Sequence, residues 1–93
     1  MTRMFEYDPE KSTVNLAKHG IDFETAQLLW LDNALITAPA LLGIEERFMV
    51  VGLIDGKLWS AVVVFRKENI RIISVRRSRP KEAKAYEDEN DNG

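Results

Sequence analysis

The 93-residue sequence contains no cysteine and one histidine. Without cysteine the chain can form neither a disulfide framework nor a thiolate metal site, and a single histidine leaves few ways to build a zinc site. The longest uninterrupted apolar run extends only from Ala61 to Phe65, far below the ~18 residues of a membrane-spanning helix. The N-terminus also lacks the apolar stretch of a secretory signal. We therefore expect a cytoplasmic protein with no metal, no cofactor and no membrane contact.

The chain is also too short for two hydrophobic cores. With 45% hydrophobic residues it can fill one, and its sequence shows no internal repeat or linker. We predict a single domain over residues 1–86. Residues 87–93 hold four acidic residues, two asparagines and a glycine, a composition that cannot bury apolar surface. We expect this segment to be a disordered acidic tail.

The charged residues are segregated along the chain. The formal net charge of −2 argues, as a total, against a nucleic-acid partner. Residues 66–84, however, hold eight basic residues and only two acidic ones, a local charge of +6. Five of the eight are arginine, whose planar guanidinium group matches phosphate oxygens in pairs. This segment favours a polyanionic ligand; the alternative is a solvated surface whose charges only maintain solubility.

Capping and turn residues predict an α+β fold with the element order β-α-α-β-β-β-β-α. The first half gives a strand (Met4–Tyr7), a helix (Pro9–His19) that Gly20 ends, a second helix that Asp22 caps and that buries Phe23, Ala26 and Trp30, a strand (Ala34–Ala38) and a loop (Ala40–Glu45). The second half gives strands Arg47–Ile54, Lys57–Arg66 and Ile70–Arg77 and a helix from Pro80. We expect a mainly antiparallel sheet packed by two N-terminal helices and one C-terminal helix.

The predicted hairpins assign side chains to the two faces of the sheet. Asp55-Gly56 predicts a two-residue type I′ turn, and a three-residue turn after Arg66 pairs Arg66 with Ile70 and Ser60 with Arg76. One face then carries Arg47, Ser60, Arg66, Ser74 and Arg76 together with apolar residues that include Ile70 and Ile72. The other, core face carries Phe48, Val50, Trp59, Ala61, Val63, Phe65, Ile73 and Val75, with Arg71 and Arg77 at its rims. A two-residue second turn would reverse the faces of the last strand.

Metal-independent RNA cleavage needs a base for the 2′-hydroxyl proton, cations for the charge that develops on phosphorus, and an acid for the leaving 5′-oxygen. Arg66 and Arg76, on one predicted face, could hold one phosphate. The alternative for them is salt bridging to acidic residues, namely Glu45, Glu46 or Glu82. His19 is the only side chain that ordinarily titrates near neutral pH, and its alternative role is to interact with the carbonyls at the end of its helix.

Two residues of the last predicted helix have similar alternatives. Glu82 could belong to the site, or it could only reach back to free amides at the start of the helix. Tyr86 lies four residues later, on the same helix face. It could stack on an RNA base, or it could pack on the sheet.

Four blocks of sequence resemble one known family when they are taken together. They are Phe5–Lys11, Asn15–Ala26, Glu45–Phe48 with Val51-Gly52, and Ile70–Arg77 with Glu82 and Tyr86. From Phe5 to Tyr86 the chain resembles the BrnT family of bacterial toxins. The resemblance implies a RelE-like fold, a ribonuclease activity that inhibits translation, and neutralisation by a BrnA-type antitoxin with a ribbon-helix-helix DNA-binding part. It also implies that operator DNA is bound only through the antitoxin.

The resemblance implies that Arg66 and Arg76 are catalytic, and it places His19, Glu82 and Tyr86 at family positions without giving their roles. The predicted catalytic residues are therefore Arg66, Arg76 and His19. The predicted RNA contacts are Arg47, Arg71, Arg77, Lys81 and Tyr86. Because the net charge is negative, RNA binding should depend strongly on salt. The alternative functions are a non-catalytic toxin-fold module that binds the antitoxin as a co-repressor, and a sheet-based RNA binder that does not cut.

Overall fold

The structure, a computed structural model, describes residues 4–40 and 46–91. Within these ranges the strands are β1 (Met4–Glu6), β2 (Ile36–Ala40), β3 (Arg47–Ile54), β4 (Lys57–Arg66) and β5 (Asn69–Arg77). The helices are α1 (Pro9–His19), α2 (Phe23–Ala26) and α3 (Pro80–Asp91), and a 3-10 helix (Gln27–Leu31) directly follows α2. None of the helices in these ranges is long and apolar enough to cross a membrane.

The strands form one sheet in the order β1-β5-β4-β3-β2. Strand β1 runs parallel to β5, and the other neighbouring pairs are antiparallel. The α+β class and the predicted element order are confirmed, whereas the likeness to RelE stays a prediction. Strand β2 begins two residues later than predicted and includes Pro39, which an edge strand tolerates. The predicted loop over Ala40–Glu45 lies, apart from Ala40, outside the described residues.

Local capping defines the N-terminal helices as the sequence predicted. The Asp8 carboxylate accepts from the Glu10 amide at the start of α1, and Gly20 ends α1 with a φ of 78°. At Asp22 the carboxylate caps α2 by accepting from the Thr25 amide. The helix then tightens into the 3-10 segment, which has three residues per turn.

The tighter turn changes which residues of this segment are buried. Phe23, Ala26 and Leu29 follow one another at a spacing of three and are buried in the core. Trp30, which an uninterrupted α-helix would have buried, is half-buried and packs edge to face on Phe5. The predicted stripe is therefore fully buried at its first two positions and only half-buried at the third, where Trp30 packs against the edge of the core.

Asn15 joins α1 to the unpaired edge of β5. Strand β1 pairs only with residues 69–71 of β5, so the edge beyond them needs other partners. The Asn15 amide nitrogen donates to the carbonyls of Val75 and Ile21, both at 2.8 Å, and its oxygen accepts from the Val75 amide at 3.2 Å. This buried side chain thus replaces a neighbouring strand at Val75.

The first hairpin has the predicted two-residue turn. Asp55 and Gly56 both have positive φ values, 53° and 79°, as a type I′ turn requires, and Ile54 pairs with Lys57. The second turn also has two residues. Arg66 pairs with Asn69, so the predicted three-residue turn and the pairing of Arg66 with Ile70 are wrong.

A β-bulge on β5 restores the predicted register further along the hairpin. Val63 pairs with Ile72 and Val62 with Ser74, which leaves Ile73 as the extra residue. Ser60 therefore still pairs with Arg76, as predicted. The turn is one residue shorter than predicted and the bulge adds one residue, so the two changes cancel beyond Ile73. The reversal of faces that a two-residue turn causes therefore affects only Ile70, Arg71 and Ile72.

The pairing defines two faces, called here the core face and the arginine face. The core face consists of Val50, Ala61, Val63, Ile70, Ile72 and Val75, all buried against α2 and the 3-10 helix. The arginine face consists of Arg47, Arg66, Arg71 and Arg76, with Ser60 and Ser74 between them. Four side chains were thus assigned wrongly, because Ile73, expected on the core face, is the unpaired residue of the bulge and lines an open groove. Ile70 and Ile72 lie on the core face, and Arg71 lies on the arginine face.

Helix α3 packs on the arginine face at the end where Ser60 lies, and it continues to Asp91. Residues 87–91, which we expected to be a disordered tail, are therefore helical. The helix is held by side chains at a spacing of four, Glu82, Tyr86 and Asn90, which bond to the body of the protein. Residues of one helix face recur at this spacing, so the sheet stabilises an otherwise polar helix.

Candidate nucleic-acid interface

Arg76 and Glu82 form a short ion pair with two parallel contacts. The Nη1 and Nη2 atoms of Arg76 donate to Oε1 and Oε2 of Glu82, both at 2.7 Å. The two side chains are 25% and 17% exposed. The Arg76 hydrogen bonds lower the pKa of Glu82 to about 2 against the opposing effect of burial, and they raise the pKa of Arg76. Both groups are therefore charged at neutral pH, and the predicted alternative of salt bridging is confirmed for Arg76.

The guanidinium group of Arg76 keeps one unused edge. Nη1 also donates to the Arg77 carbonyl at 3.2 Å, so both hydrogens of Nη1 and one of Nη2 are engaged. The Nε hydrogen and the second Nη2 hydrogen lie side by side, and they donate to none of the described residues. Two parallel N–H groups are the arrangement that binds two oxygens of one phosphate. Arg76 can therefore hold an anion while Glu82 holds its other edge.

Glu82 also accepts hydrogen bonds from two further groups. The Ser60 hydroxyl donates to Oε1 at 2.8 Å and accepts a 2.7 Å hydrogen bond from the Ser78 hydroxyl. The Arg79 backbone amide donates to the same Oε1 at 2.9 Å, which is the capping role that the sequence offered as the alternative for Glu82. The Glu82 carboxylate therefore caps the N-terminus of α3 and also attaches this helix to the sheet.

The side chain of Tyr86 is buried between α3 and the rest of the protein, and it is only 8% exposed. Its hydroxyl donates to Oδ2 of Asp32 at 2.8 Å, and burial followed by this bond raises the pKa of Tyr86 to about 12. Burial alone would raise the pKa of Asp32, but bonds from the Leu53 and Ala34 amides and from Tyr86 outweigh it and lower that pKa. The prediction that Tyr86 stacks on an RNA base is therefore wrong while α3 is packed against the protein.

Arg66 and Arg76 share the arginine face, as predicted, but they are far apart on it. Arg66 is six residues from Ser60 along β4, and Ser60 is the residue that pairs with Arg76. At about 3.3 Å per residue this separates the two arginine positions by about 20 Å. The two side chains therefore cannot hold the same phosphate. They suit two different phosphates of one nucleic-acid strand.

Arg47 and Arg71 lie at the same end of this face as Arg66. Arg47 is half-buried, and its Nε atom is buried without a hydrogen-bond partner among residues 4–40 and 46–91. Arg71 approaches Glu6 at 3.7 Å, with both side chains 33% exposed. The Glu6 carboxylate also accepts from Asn69 at 2.7 Å. Three arginine positions thus lie together at this end of the arginine face. Of the other carboxylates suggested as salt-bridge partners, Glu45 lies outside the described residues.

His19 is exposed at the end of α1. Its imidazole makes no hydrogen bond within the described part of the chain, and the cap at this helix end is the Gly20 amide donating to the Leu16 carbonyl. His19 and Ser74 both line an open groove between α1 and β5. Because Ser74 is two residues before Arg76, the groove reaches the sheet about 7 Å from the Arg76 position.

The two remaining predicted contacts lie elsewhere. Arg77 is on the core-face side of β5, where its guanidinium carbon lies 5.4 Å from the Trp59 ring centre and its Nε donates to the Leu58 carbonyl. Lys81 is exposed in the first turn of α3. Neither joins the arginine face. In the two described ranges no three His, Asp or Glu side chains are grouped as a metal site requires.

Sequence reasoning missed Asp32, Ser60 and Ser78 as members of the polar network beneath α3. The sequence placed Ser60 on the correct face but did not predict the hydrogen bonds of its side chain to Glu82 and Ser78. The spacing of four between Glu82 and Tyr86 was the one available signal that both residues contact the sheet. Nothing in the local sequence connects Asp32 to a tyrosine 54 residues away.

The comparison with known families identifies the chain. A family model for the ribonuclease toxin BrnT of type II toxin-antitoxin systems matches residues 7–82, most of the chain. The chain belongs to the BrnT ribonuclease toxin family. The resemblance that the sequence blocks suggested is therefore confirmed. No individual curated protein matches the chain.

Membership of the BrnT family gives the arginine face its context. Type II toxin-antitoxin systems pair a toxin with a protein antitoxin, so a protein partner is implied for this chain. The matched region contains all the arginines of that face and ends at Glu82. Tyr86 and Asn90, which complete the attachment of α3, lie beyond the match.

Proposed function

We propose that this BrnT-family chain is a metal-independent endoribonuclease that cuts RNA on its arginine face and thereby inhibits translation. A BrnA-type antitoxin with a ribbon-helix-helix part would neutralise it, and operator DNA would be contacted only through that antitoxin. The observation that carries the proposal is the unused Nε and Nη2 edge of Arg76, next to the groove that His19 lines. It offers a phosphate-binding fork two residues along β5 from Ser74, and Ser74 lines the same groove as His19.

The proposed reaction needs no group outside the chain, the RNA and water. The 2′-oxygen attacks phosphorus while the imidazole of His19 takes its proton, and the bond from phosphorus to the 5′-oxygen breaks. The leaving oxygen takes a proton from water, which gives a cyclic phosphate and a 5′-hydroxyl. Arg76 stabilises the charge that develops on the phosphate oxygens.

Glu82 has a supporting part in this proposal. It binds the Nη1–Nη2 edge of Arg76 and keeps the guanidinium group in one orientation, which turns the second edge toward the site. Since both groups stay ionised at neutral pH, the fork is formed before RNA arrives. Preorganised donors of this kind stabilise a transition state without reorganising at the moment of reaction.

The test compares RNA cleavage by purified wild type and by Arg76→Gln in buffer that contains a metal chelator. Arg79→Gln is the matched control, because it removes an exposed arginine from the same region. We expect wild type to cleave and Arg76→Gln to be about 100-fold slower, with Arg79→Gln within about threefold of wild type. Circular dichroism of each variant checks that it is folded.

Expression in a host without the antitoxin gives the second measurement. Growth arrest by wild type and growth with Arg76→Gln would support the proposal. A folded wild type that binds antitoxin but neither cuts RNA nor arrests growth would overturn it. The chain would then be a non-catalytic, antitoxin-binding co-repressor.

A further inference from the structure

Three arginines surround Val64 on the arginine face, at the end remote from Arg76. Arg71 is the residue of β5 that pairs with Val64, and Arg66 lies two residues after Val64 on β4. Phe48 pairs with Val63, so the register continued by one residue places Arg47 opposite Val64 on the other side. Neighbouring strands lie about 4.8 Å apart and alternate residues about 7 Å apart. Val64 itself is 3% exposed.

Charge and hydrogen bonding in this group, called here the Val64 cluster (Arg47, Arg66 and Arg71), favour an anionic ligand. The Nε atom of Arg47 is a buried donor with no partner in the described ranges, and a donor left in that state costs about 1–3 kcal/mol. Arg71 meets Glu6 only at 3.7 Å, beyond hydrogen-bonding distance. Because the Nε atom of Arg47 is enclosed, a ligand oxygen would bind this arginine at its other guanidinium nitrogens, and it would give Arg71 the hydrogen bond that Glu6 does not.

We propose that the Val64 cluster is a second phosphate-binding site for the RNA strand whose scissile phosphate binds Arg76. This inference rests on the proposed ribonuclease function and deepens it. Val64 is four residues from Ser60, and Ser60 pairs with Arg76, so the two sites are about 13 Å apart along β4. Arg66 is about 20 Å from the Arg76 position.

This separation sets a minimum length for tight binding. Stacked nucleotides advance about 3.4 Å each along a strand, so the second site holds a phosphate about four to six nucleotides from the first. An RNA shorter than this reaches one site only. The affinity should therefore rise in a step as the RNA becomes long enough to bridge both sites.

The experiment measures binding of fully 2′-O-methylated oligonucleotides, which lack the attacking 2′-hydroxyl. Fluorescence anisotropy gives the affinity for lengths of about two, four, six and eight nucleotides over a range of salt concentrations. The test variant is Arg47→Gln with Arg71→Gln. The control variant is Lys57→Gln with Lys84→Gln, which removes the same charge at two exposed positions outside the arginine face.

For wild type and control we expect at least a tenfold gain in affinity between the short and the long oligonucleotides. For the test variant we expect that gain to disappear. The slope of log affinity against log salt should also become shallower by about 0.7 for each phosphate that the variant no longer binds. Because Arg47 is half-buried, Arg71→Gln alone is the second test variant, and thermal unfolding checks each protein.

Two results would overturn the inference while the proposed function stands. One is a test variant that is folded and binds the long oligonucleotide as the control does. The other is a test variant that binds RNA normally but no longer binds the antitoxin, because the cluster would then be a protein-binding surface. If wild type neither binds any of the oligonucleotides nor cuts unmodified RNA, the proposed function fails as well.

Discussion

Protonating Glu82 should loosen the structure in acid, and the structure allows the size of the effect to be worked out. The carboxylate of Glu82 has a pKa of about 2 in the folded chain against an ordinary value of 4.5, chiefly because Arg76 donates to it. Because the pKa of Glu82 is lower in the folded state than in the unfolded state, its ionised carboxylate stabilises the folded state at pH values above the unfolded-state pKa. That contribution is present in full above about pH 5 and is lost as the pH falls toward 2.

The expected magnitude follows from the two pKa values. A tenfold change in an equilibrium corresponds to about 1.4 kcal/mol, so the lowered pKa of Glu82 corresponds to about 3 kcal/mol of folding free energy at pH 6. The Glu82 side chain is 17% exposed, so solvent screens the interaction only partly. At pH 3, where the unfolded chain is already protonated at this residue, about 1 kcal/mol of the contribution is left.

Glu82→Gln removes this contribution, and urea unfolding followed by circular dichroism measures it at pH 6 and pH 3. We expect the variant to be less stable than wild type by about 3 kcal/mol at pH 6 and by about 1 kcal/mol at pH 3. Glu87→Gln removes an exposed carboxylate from the same helix, and it should match wild type within about 0.5 kcal/mol at both pH values. A difference between wild type and Glu82→Gln that does not change with pH would refute the reasoning.

Two further predictions concern α1. Asn15→Ala leaves the Val75 amide and the carbonyls of Val75 and Ile21 unpaired, so urea unfolding should show a loss of about 3–5 kcal/mol. Lys11→Ala, an exposed change on the same helix, should cost less than about 0.5 kcal/mol, and an equal loss in both variants would contradict this account. His19→Gln should slow RNA cleavage while the melting temperature stays the same. Normal cleavage with a lowered melting temperature would instead make His19 a structural residue.

The elements that local chemistry determines were predicted with good accuracy. Asp8 and Pro9 started a helix, Gly20 ended it with a positive φ, and Asp55-Gly56 formed a two-residue turn. Each of these depends on a few adjacent residues whose conformational preferences are strong. The family was also recognisable from sequence blocks, since the family model matches residues 7–82.

The assignment of side chains to faces was less secure because it depended on a single turn length. The second turn has two residues, which reversed the faces of Ile70, Arg71 and Ile72. The bulge at Ile73 then restored the predicted face of Arg76. No local sequence preference marks Ile73 as the residue that becomes the bulge.

The sequence by itself therefore determined the secondary elements, the concentration of positive charge in residues 66–84 and the family. Only the tertiary structure decided that Arg76 is bound by Glu82 and that Tyr86 is buried against Asp32. Tertiary structure also decided that residues 87–91 continue a helix and that Arg66 lies about 20 Å from Arg76. The physical reason is that caps and tight turns are made by neighbours in the chain. Ion pairs, buried hydroxyls and distances across a sheet depend instead on residues that meet only after folding.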